Sequence, residues 1–276
     1  MPIESRCWQQ LGLAVLGLVL AVHCSPTRAE TPRAITLAPH LTELAYAVEG
    51  ENALVGVVAW SDYPEAAKDL PRIGDAFQFN LERITMLAPT VALAWRGGTN
   101  PALAQRLQSM DIDVVWIQIR SLDDIAQALT DVGTALGQAA SGAQAAAQFR
   151  SALANRPPIP KNQRRPAFYQ ISEQPLFTLG KRHILSELLH RCGAYNVFDD
   201  LDVEAAAVEF EAVIARQPEI IIAGRQFPTH DALAHWRQFR ELLPDHTRFI
   251  EVDPDTLIRP TPRIVQGMDQ LCQKLK

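Results

Sequence analysis

A chain of 276 residues, 47% hydrophobic and 21% charged, with 14 Gly and 19 Pro, excludes collagen, coiled coil and low-complexity disorder. The length is about twice that of a usual domain, so two domains or lobes are expected, with enough apolar side chain to bury a core. A formal charge of -5, from 26 Lys+Arg against 31 Asp+Glu, argues against nucleic acid or an anionic membrane as partner, since either needs clustered cations.

In chain order, Arg6 precedes an uncharged run at 11–22, followed by Pro26 and the small-residue site Thr27-Arg28-Ala29. This is the pattern of a secretory signal covering residues 1–29, and a run of that length is too short to cross a bilayer of roughly 30 Å. The alternative is a lipoprotein acylated at Cys24, but His23 stands where lipoprotein processing prefers a small residue. Export leaves Cys192 and Cys272. They are either two buried thiols or a disulfide, and an even count in an oxidising compartment favours the disulfide. Neither has further ligands at the short spacing a metal site needs.

Short β-rich runs at 34–37, 54–60, 91–95, 114–117, 167–171, 220–223 and 249–252 alternate with helical stretches, the pattern of an α/β protein with mainly parallel strands. Helices are predicted over 41–48 and 184–191, with Gly50 and Gly193 placed as left-handed caps. Between the two halves, 121–156 is rich in Ala, Leu and Gln and is closed by Pro157-Pro158-Ile159-Pro160. Gly137 and Ser141-Gly142 predict a break, leaving 143–155 as the crossover helix. The resulting division is an N-terminal lobe at 30–137, a linker helix at 138–160 and a C-terminal lobe at 161–276.

An internal echo supports two similar lobes. Glu82 is followed seven residues later by Pro89 and then by Thr-Val-Ala-Leu-Ala; Glu211 is followed seven residues later by Pro218 and then by Glu-Ile-Ile-Ile-Ala. In both copies the proline forbids further helix and opens a strand. A weaker echo pairs His40-Leu-Thr-Glu-Leu with His183-Ile-Leu-Ser-Glu-Leu.

Catalytic motifs are scarce. The chain has no Gly-x-Ser-x-Gly, no His-Glu-x-x-His and no phosphate-binding glycine loop, and its histidines lack compact ligand spacing, so a binding protein is expected rather than the alternative of a metal-dependent hydrolase using His40 and Glu43, which would need clustered ligands. His40 nevertheless falls where open α/β sheets present side chains to a ligand, between a strand and a helix. Trp60 and Trp95 end predicted strands, Phe77 sits in the loop entering the Glu82 helix, and Phe177 lies in a similar loop of the second half. Rings at the carboxyl ends of parallel strands can line one binding surface.

Over nearly its whole length the chain resembles the periplasmic cobalamin-binding proteins of ABC importers, within the wider class that binds haem and ferric siderophores. The resemblance is carried by Ile35-Thr-Leu-Ala-Pro39 with Thr42-Glu43-Leu44, Trp60-Ser-Asp-Tyr-Pro64, Asn80-Leu-Glu-Arg-Ile84, Ala94-Trp-Arg-Gly-Gly98, Phe177-Thr178 with Gly180, Cys192-Gly193 with Asn196-Val-Phe198, and Pro262-Arg263 before Cys272. It implies a class III periplasmic binding protein: two Rossmann-like α/β lobes joined by one long helix, a monomer exported to the periplasm. The implied ligand is cobalamin or a related corrinoid, carried as cargo with no cofactor, and haem or a ferric siderophore is the alternative. Ligand-binding positions implied by the resemblance are Trp60, Phe77, Trp95, Phe177, Asp255 and Arg259. It also gives Glu82 and Glu211 a role, one per lobe, in docking to an ABC permease dimer. The chain departs from the best-known cobalamin binder at Ala76 and Ala205, where that protein has tryptophan.

Overall fold

A computed structural model of the protein describes residues 31–75, 78–225 and 231–276. The expected signal at 1–29, with Cys24, lies outside the described residues, as do Ala76, Phe77 and His230. The first half builds a four-stranded sheet from β1 (Ala34–Thr36), β2 (Leu54–Val57), β3 (Val91–Trp95) and β4 (Asp113–Ile117), ordered β2-β1-β3-β4 with every pairing parallel. Helices α1 (Pro39–Ala47), α2 (Leu81–Leu87) and α3 (Pro101–Gln108) connect the strands.

The second half adds β5 (Arg165–Glu173), β6 (Leu176–Leu179), β7 (Ala194–Asn196), β8 (Ala205–Ala207), β9 (Ile220–Gly224) and β10 (Arg248–Val252) in order β10-β9-β5-β6-β8, with β7 also on β5. Its parallel part, β7-β5-β9-β10, repeats the topology of the first sheet. The register repeats as well: Ala34, Val91 and Asp113 lie abreast in the first sheet, and Ala167, Ile220 and Arg248 in the second.

The strands are mainly parallel as expected, and β6 and β8, absent from the predicted set, are antiparallel additions. Strand β5 runs past the predicted 167–171 and turns back through Gln174-Pro175, while the all-alanine β8 has little strand propensity of its own. Alternation along the inner strands divides the core into three parts. Ala34, Leu93, Ala167, Ile220 and Ile222 face one apolar cluster that runs through both halves. Ile35, Ala92 and Ala94 face a second on the far side of the first sheet, and Phe168, Ile221 and Ala223 a third on the far side of the second.

Between the sheets, α4 (Leu122–Ala135) and α5 (Ala139–Ala154) form a helical hairpin. Ser121 and Asp124 close a capping box at the start of α4. The predicted break occurs at Gly137, in the left-handed region at φ 73°, but not at Ser141-Gly142. Helix α5 runs straight through that pair, so the crossover begins at Ala139. Gly142 serves close approach: a Cβ there would lie 2.7 Å from the Leu129 carbonyl oxygen and 3.0 Å from the Gly133 Cα. The cap predicted at Gly50 is also corrected, because Glu49 holds the left-handed conformation at φ 59°. Gly50 is required instead by crowding, with a Cβ falling 3.2 Å from the Ala45 carbonyl oxygen and 3.2 Å from the Leu136 Cβ.

In the second half α6 (Ile184–Arg191) spans its predicted residues and is followed by Gly193 at φ 77°. Helices α7 (Phe210–Ala215), α8 (Ala234–Gln238), α9 (Pro254–Ile258) and α10 (Ile264–Leu275) complete the chain. Helix α10 buries Ile264, Met268, Leu271 and Leu275 along one face. The disulfide between Cys192 and Cys272, with Cα atoms 4.5 Å apart, ties it to the end of α6. Among the described residues no helix is long and apolar enough to cross a membrane.

Candidate functional site

Parallel strands place their following loops on one edge of a sheet, so the loops after β1, β2, β3 and β10 are where side chains can converge. Trp60, just past β2, is 77% exposed and sits in the left-handed region at φ 65°. A tryptophan held in that backbone conformation and facing solvent is costly to keep unless it has something to contact. Trp95 ends β3 half-buried, with its backbone N–H donating to Thr99 Oγ1 at 2.9 Å. The turn Arg96-Gly97-Gly98 folds over the Trp95 ring: a Cβ on Gly97 would fall 2.7 Å from the indole. These glycines therefore serve the tryptophan rather than a phosphate.

His40, at the second position of α1, meets Trp95 edge to face with ring centroids 5.2 Å apart and planes at 87°. Burial, reinforced by the positive charge of Arg259, pulls its pKa down to about 4, so the ring is neutral at physiological pH. Its buried Nε2 has no protein partner.

Asp255 and Arg259, expected near the ligand, lie in α9 and directly after it. Asp255 is exposed, 3.8 Å from the Arg259 guanidinium. Arg259 is mostly buried and reaches across to the first half, donating from Nη1 to Asp62 Oδ1 at 2.6 Å and Glu43 Oε1 at 3.0 Å. Burial would raise the pKa of Asp62, but the Arg259 hydrogen bond and charge, with Arg263 behind, hold it below the usual carboxylate range. Glu43 is the deepest member, its side chain 2% exposed. It also accepts from Thr261 Oγ1 at 2.9 Å and from Arg263 Nε and Nη2, each at 3.0 Å. The Arg263 guanidinium then stacks on the Tyr63 ring at 3.7 Å.

The structure thus joins Trp60's loop to Arg259 and Asp255, and Trp95 to His40. Phe177 lies on the second sheet, half-buried in β6, opposite Ser172 and Ala207. Ala205 is exposed at the end of the same ladder. Sequence reasoning gives no site role to Asp62, Tyr63, Thr261 or Arg263, and gives Glu43 one only in the disfavoured hydrolase alternative. The available signal was Glu43 itself, the one charged side chain in an otherwise buried stretch of α1.

Glu82 and Glu211 each occupy the second position of a short helix, α2 and α7, and both are exposed. Among the described residues no group of three or more His, Cys, Asp or Glu could hold a metal ion.

Known proteins resemble the chain over nearly its whole length. The vitamin B12-binding protein of Pectobacterium atrosepticum is 33% identical over 282 aligned positions, covering 100% of this chain and 96% of the relative. That of Vibrio cholerae serotype O1 is 34% identical, covering 88% and 89%. Among solved structures, the periplasmic vitamin B12 binding protein BtuF of Vibrio cholerae superposes with a TM-score of 0.76 at 32% identity over 89% of this chain and 96% of that one. A periplasmic haem-binding protein from Pseudomonas aeruginosa shares the fold, with a TM-score of 0.75 at 22% identity over 89% and 93%. The sequence pattern of the periplasmic binding protein family matches residues 35–240, and the chain belongs to that family.

Proposed function

We propose that the mature chain captures cobalamin or a related corrinoid in the periplasm and delivers it to an ABC import permease in the inner membrane. The observation that carries this reading is the near full-length similarity to vitamin B12-binding proteins. The exposed Trp60 just past β2 and the half-buried Trp95 at the end of β3, the two strands that flank β1, fit it. Aromatic faces offer a broad, flat chelate a large apolar contact at little entropic cost. Phe177 would supply the opposing face, with Asp255 and Arg259 at its margins, and Phe77, outside the described residues, is assigned to the ligand by the resemblance alone. Residues 30–137 and 161–276 form the two lobes, 138–160 the linker, and residues 1–29 the export signal. The protein acts as a monomer that binds without chemistry. Glu82 and Glu211, one per lobe, dock to the permease dimer.

Absorbance titration of the purified protein with cyanocobalamin, haemin and a ferric siderophore in parallel tests the ligand. Saturable binding of cyanocobalamin is expected, weakened at least about tenfold by Trp95→Ala or Phe177→Ala. Tight haemin binding without corrinoid binding would transfer the role to haem.

A further inference from the structure

We propose that Glu43 is a positioning residue of the ligand site: through arginines of the opposite lobe it fixes the loop that presents Trp60. This rests on Trp60 being a ligand contact. Glu43 itself is too deeply buried to touch a ligand, and all four of its side-chain hydrogen bonds come from Arg259, Thr261 and Arg263, more than 200 positions away in sequence. Two of those partners have a second contact. Arg259 holds Asp62, and Arg263 stacks on Tyr63. Asp62 and Tyr63 are the second and third residues after Trp60. The residue between them and the tryptophan, Ser61, is held from α1 as well, accepting from Thr42 Oγ1 at 3.0 Å. Adjacent residues of α1 therefore grip the loop twice, Thr42 directly and Glu43 by way of the other half of the molecule.

The pseudo-symmetric contact on the other side is different. Glu187 of α6 is the counterpart of Glu43 in the histidine-led echo, and it faces the start of α4 as Glu43 faces the segment after α9. There, among the described residues, it accepts only from the Leu122 backbone N–H at 3.4 Å. Beside it lies an open groove of about 420 Å³ bounded by Leu122, Leu153, Pro157 and Arg191. Holding two lobes together does not require the arginine clamp, since the pseudo-equivalent contact lacks one. What the clamp adds is immobilisation of residues 61–63. Buried ion pairs contribute little net stability against an apolar replacement, and specifying one geometry is their better-attested use.

Two measurements on the full mature protein test this. In the ligand-free state, hydrogen exchange read by mass spectrometry should accelerate at least about fivefold across residues 58–66 in Glu43→Gln, with residues 122–135 unchanged. In cyanocobalamin titrations, Glu43→Gln should lose about tenfold in affinity, and the loss should vanish in a Trp60→Ala background, because both changes act through one contact. A merely structural role would lower the melting temperature and add to Trp60→Ala instead. Tyr63→Ala, at an exposed ring, gives the same test without disturbing buried charge should Glu43→Gln fail to fold. Unchanged exchange at 58–66, or additive losses in the double variant, overturns the proposal. Absence of corrinoid binding by the wild-type protein sinks the functional reading alone, and the exchange result still decides the role of Glu43 in ordering the loop.

Discussion

Ala88 and Gln217 hold the same left-handed backbone conformation, φ 43° and 46°, and each stands directly before a buried proline that leads into an inner strand of its sheet. Proline disfavours the helical region for the residue before it, and a left-handed residue there ends the helix while turning the chain toward the sheet. For non-glycine residues this conformation costs roughly 1 kcal/mol, yet it recurs in both halves. The seven-residue spacing from Glu82 to Pro89 and from Glu211 to Pro218 is thus a conserved piece of geometry within one chain. It puts both glutamates at the second position of short, exposed helices, α2 and α7.

A carboxylate at a helix N-terminus gains a few tenths of a kcal/mol from the dipole, which does not account for two at matched places. Exposed charges at a docking rim act mainly on association and its salt dependence. Glu82→Arg combined with Glu211→Arg should therefore abolish transport-dependent growth on low cobalamin while the purified variant binds ligand as wild type does. Normal uptake by the double variant would remove both residues from docking.

Much of this was legible because it rests on local chemistry. The Glu-to-Pro echo, α6 with its Gly193 cap and the inner strands β3 and β9 follow from residue spacing and short buried apolar runs. What was not legible depends on distant partners. Arg259 reads as a ligand residue in sequence, but its position is set by Glu43 and Asp62, more than 190 positions away. Gly142 reads as a helix break because its reason for being glycine is the backbone of another helix. Strand β8 escapes because its three alanines do not specify strand and it forms only by pairing with β6, which in turn is a short run set by its antiparallel pairing with β5.

Gly142 gives the most direct test of that packing. A methyl group there would press on the Leu129 carbonyl oxygen and the Gly133 Cα. Helix propensity alone would make Gly142→Ala stabilising by up to about 1 kcal/mol. Overpacking of this kind costs typically 1–3 kcal/mol, so a net loss of about 1 kcal/mol is expected, and Gly142→Leu should be worse. Urea denaturation reads both. A stabilised Gly142→Ala protein would mean that α4 and α5 do not touch at this crossing.

The disulfide closes a sequence separation of 80 residues and fastens α10 to the end of α6. In the chain-entropy account a loop of that length stabilises by roughly 4 kcal/mol. Reduction, or Cys192→Ser with Cys272→Ser, should lower the denaturation midpoint by a corresponding amount and leave the two-lobed fold intact at low temperature. Alkylation of the unreduced protein under denaturing conditions should find neither thiol free.

His40 makes a prediction whose sign can be worked out. Its pKa falls from the ordinary 6.5 to about 4 because burial, then the charge of Arg259, disfavours the protonated ring. Between those two values the unfolded chain binds a proton that the folded chain does not, so acid favours unfolding. Stability contributed by the neutral ring is complete above about pH 6.5, declines as the pH falls toward 4, and changes no further below that. The full drop corresponds to roughly 3 kcal/mol. The informative quantity is the difference between wild type and His40→Phe, which keeps a ring against Trp95 and carries no proton. That difference should shift against the wild type by up to about 3 kcal/mol between pH 7 and pH 4. Chemical denaturation at half-unit pH steps measures it. Parallel stability profiles for the two proteins would mean that His40 titrates alike in the folded and unfolded chain, which its burial between α1 and Trp95 does not permit.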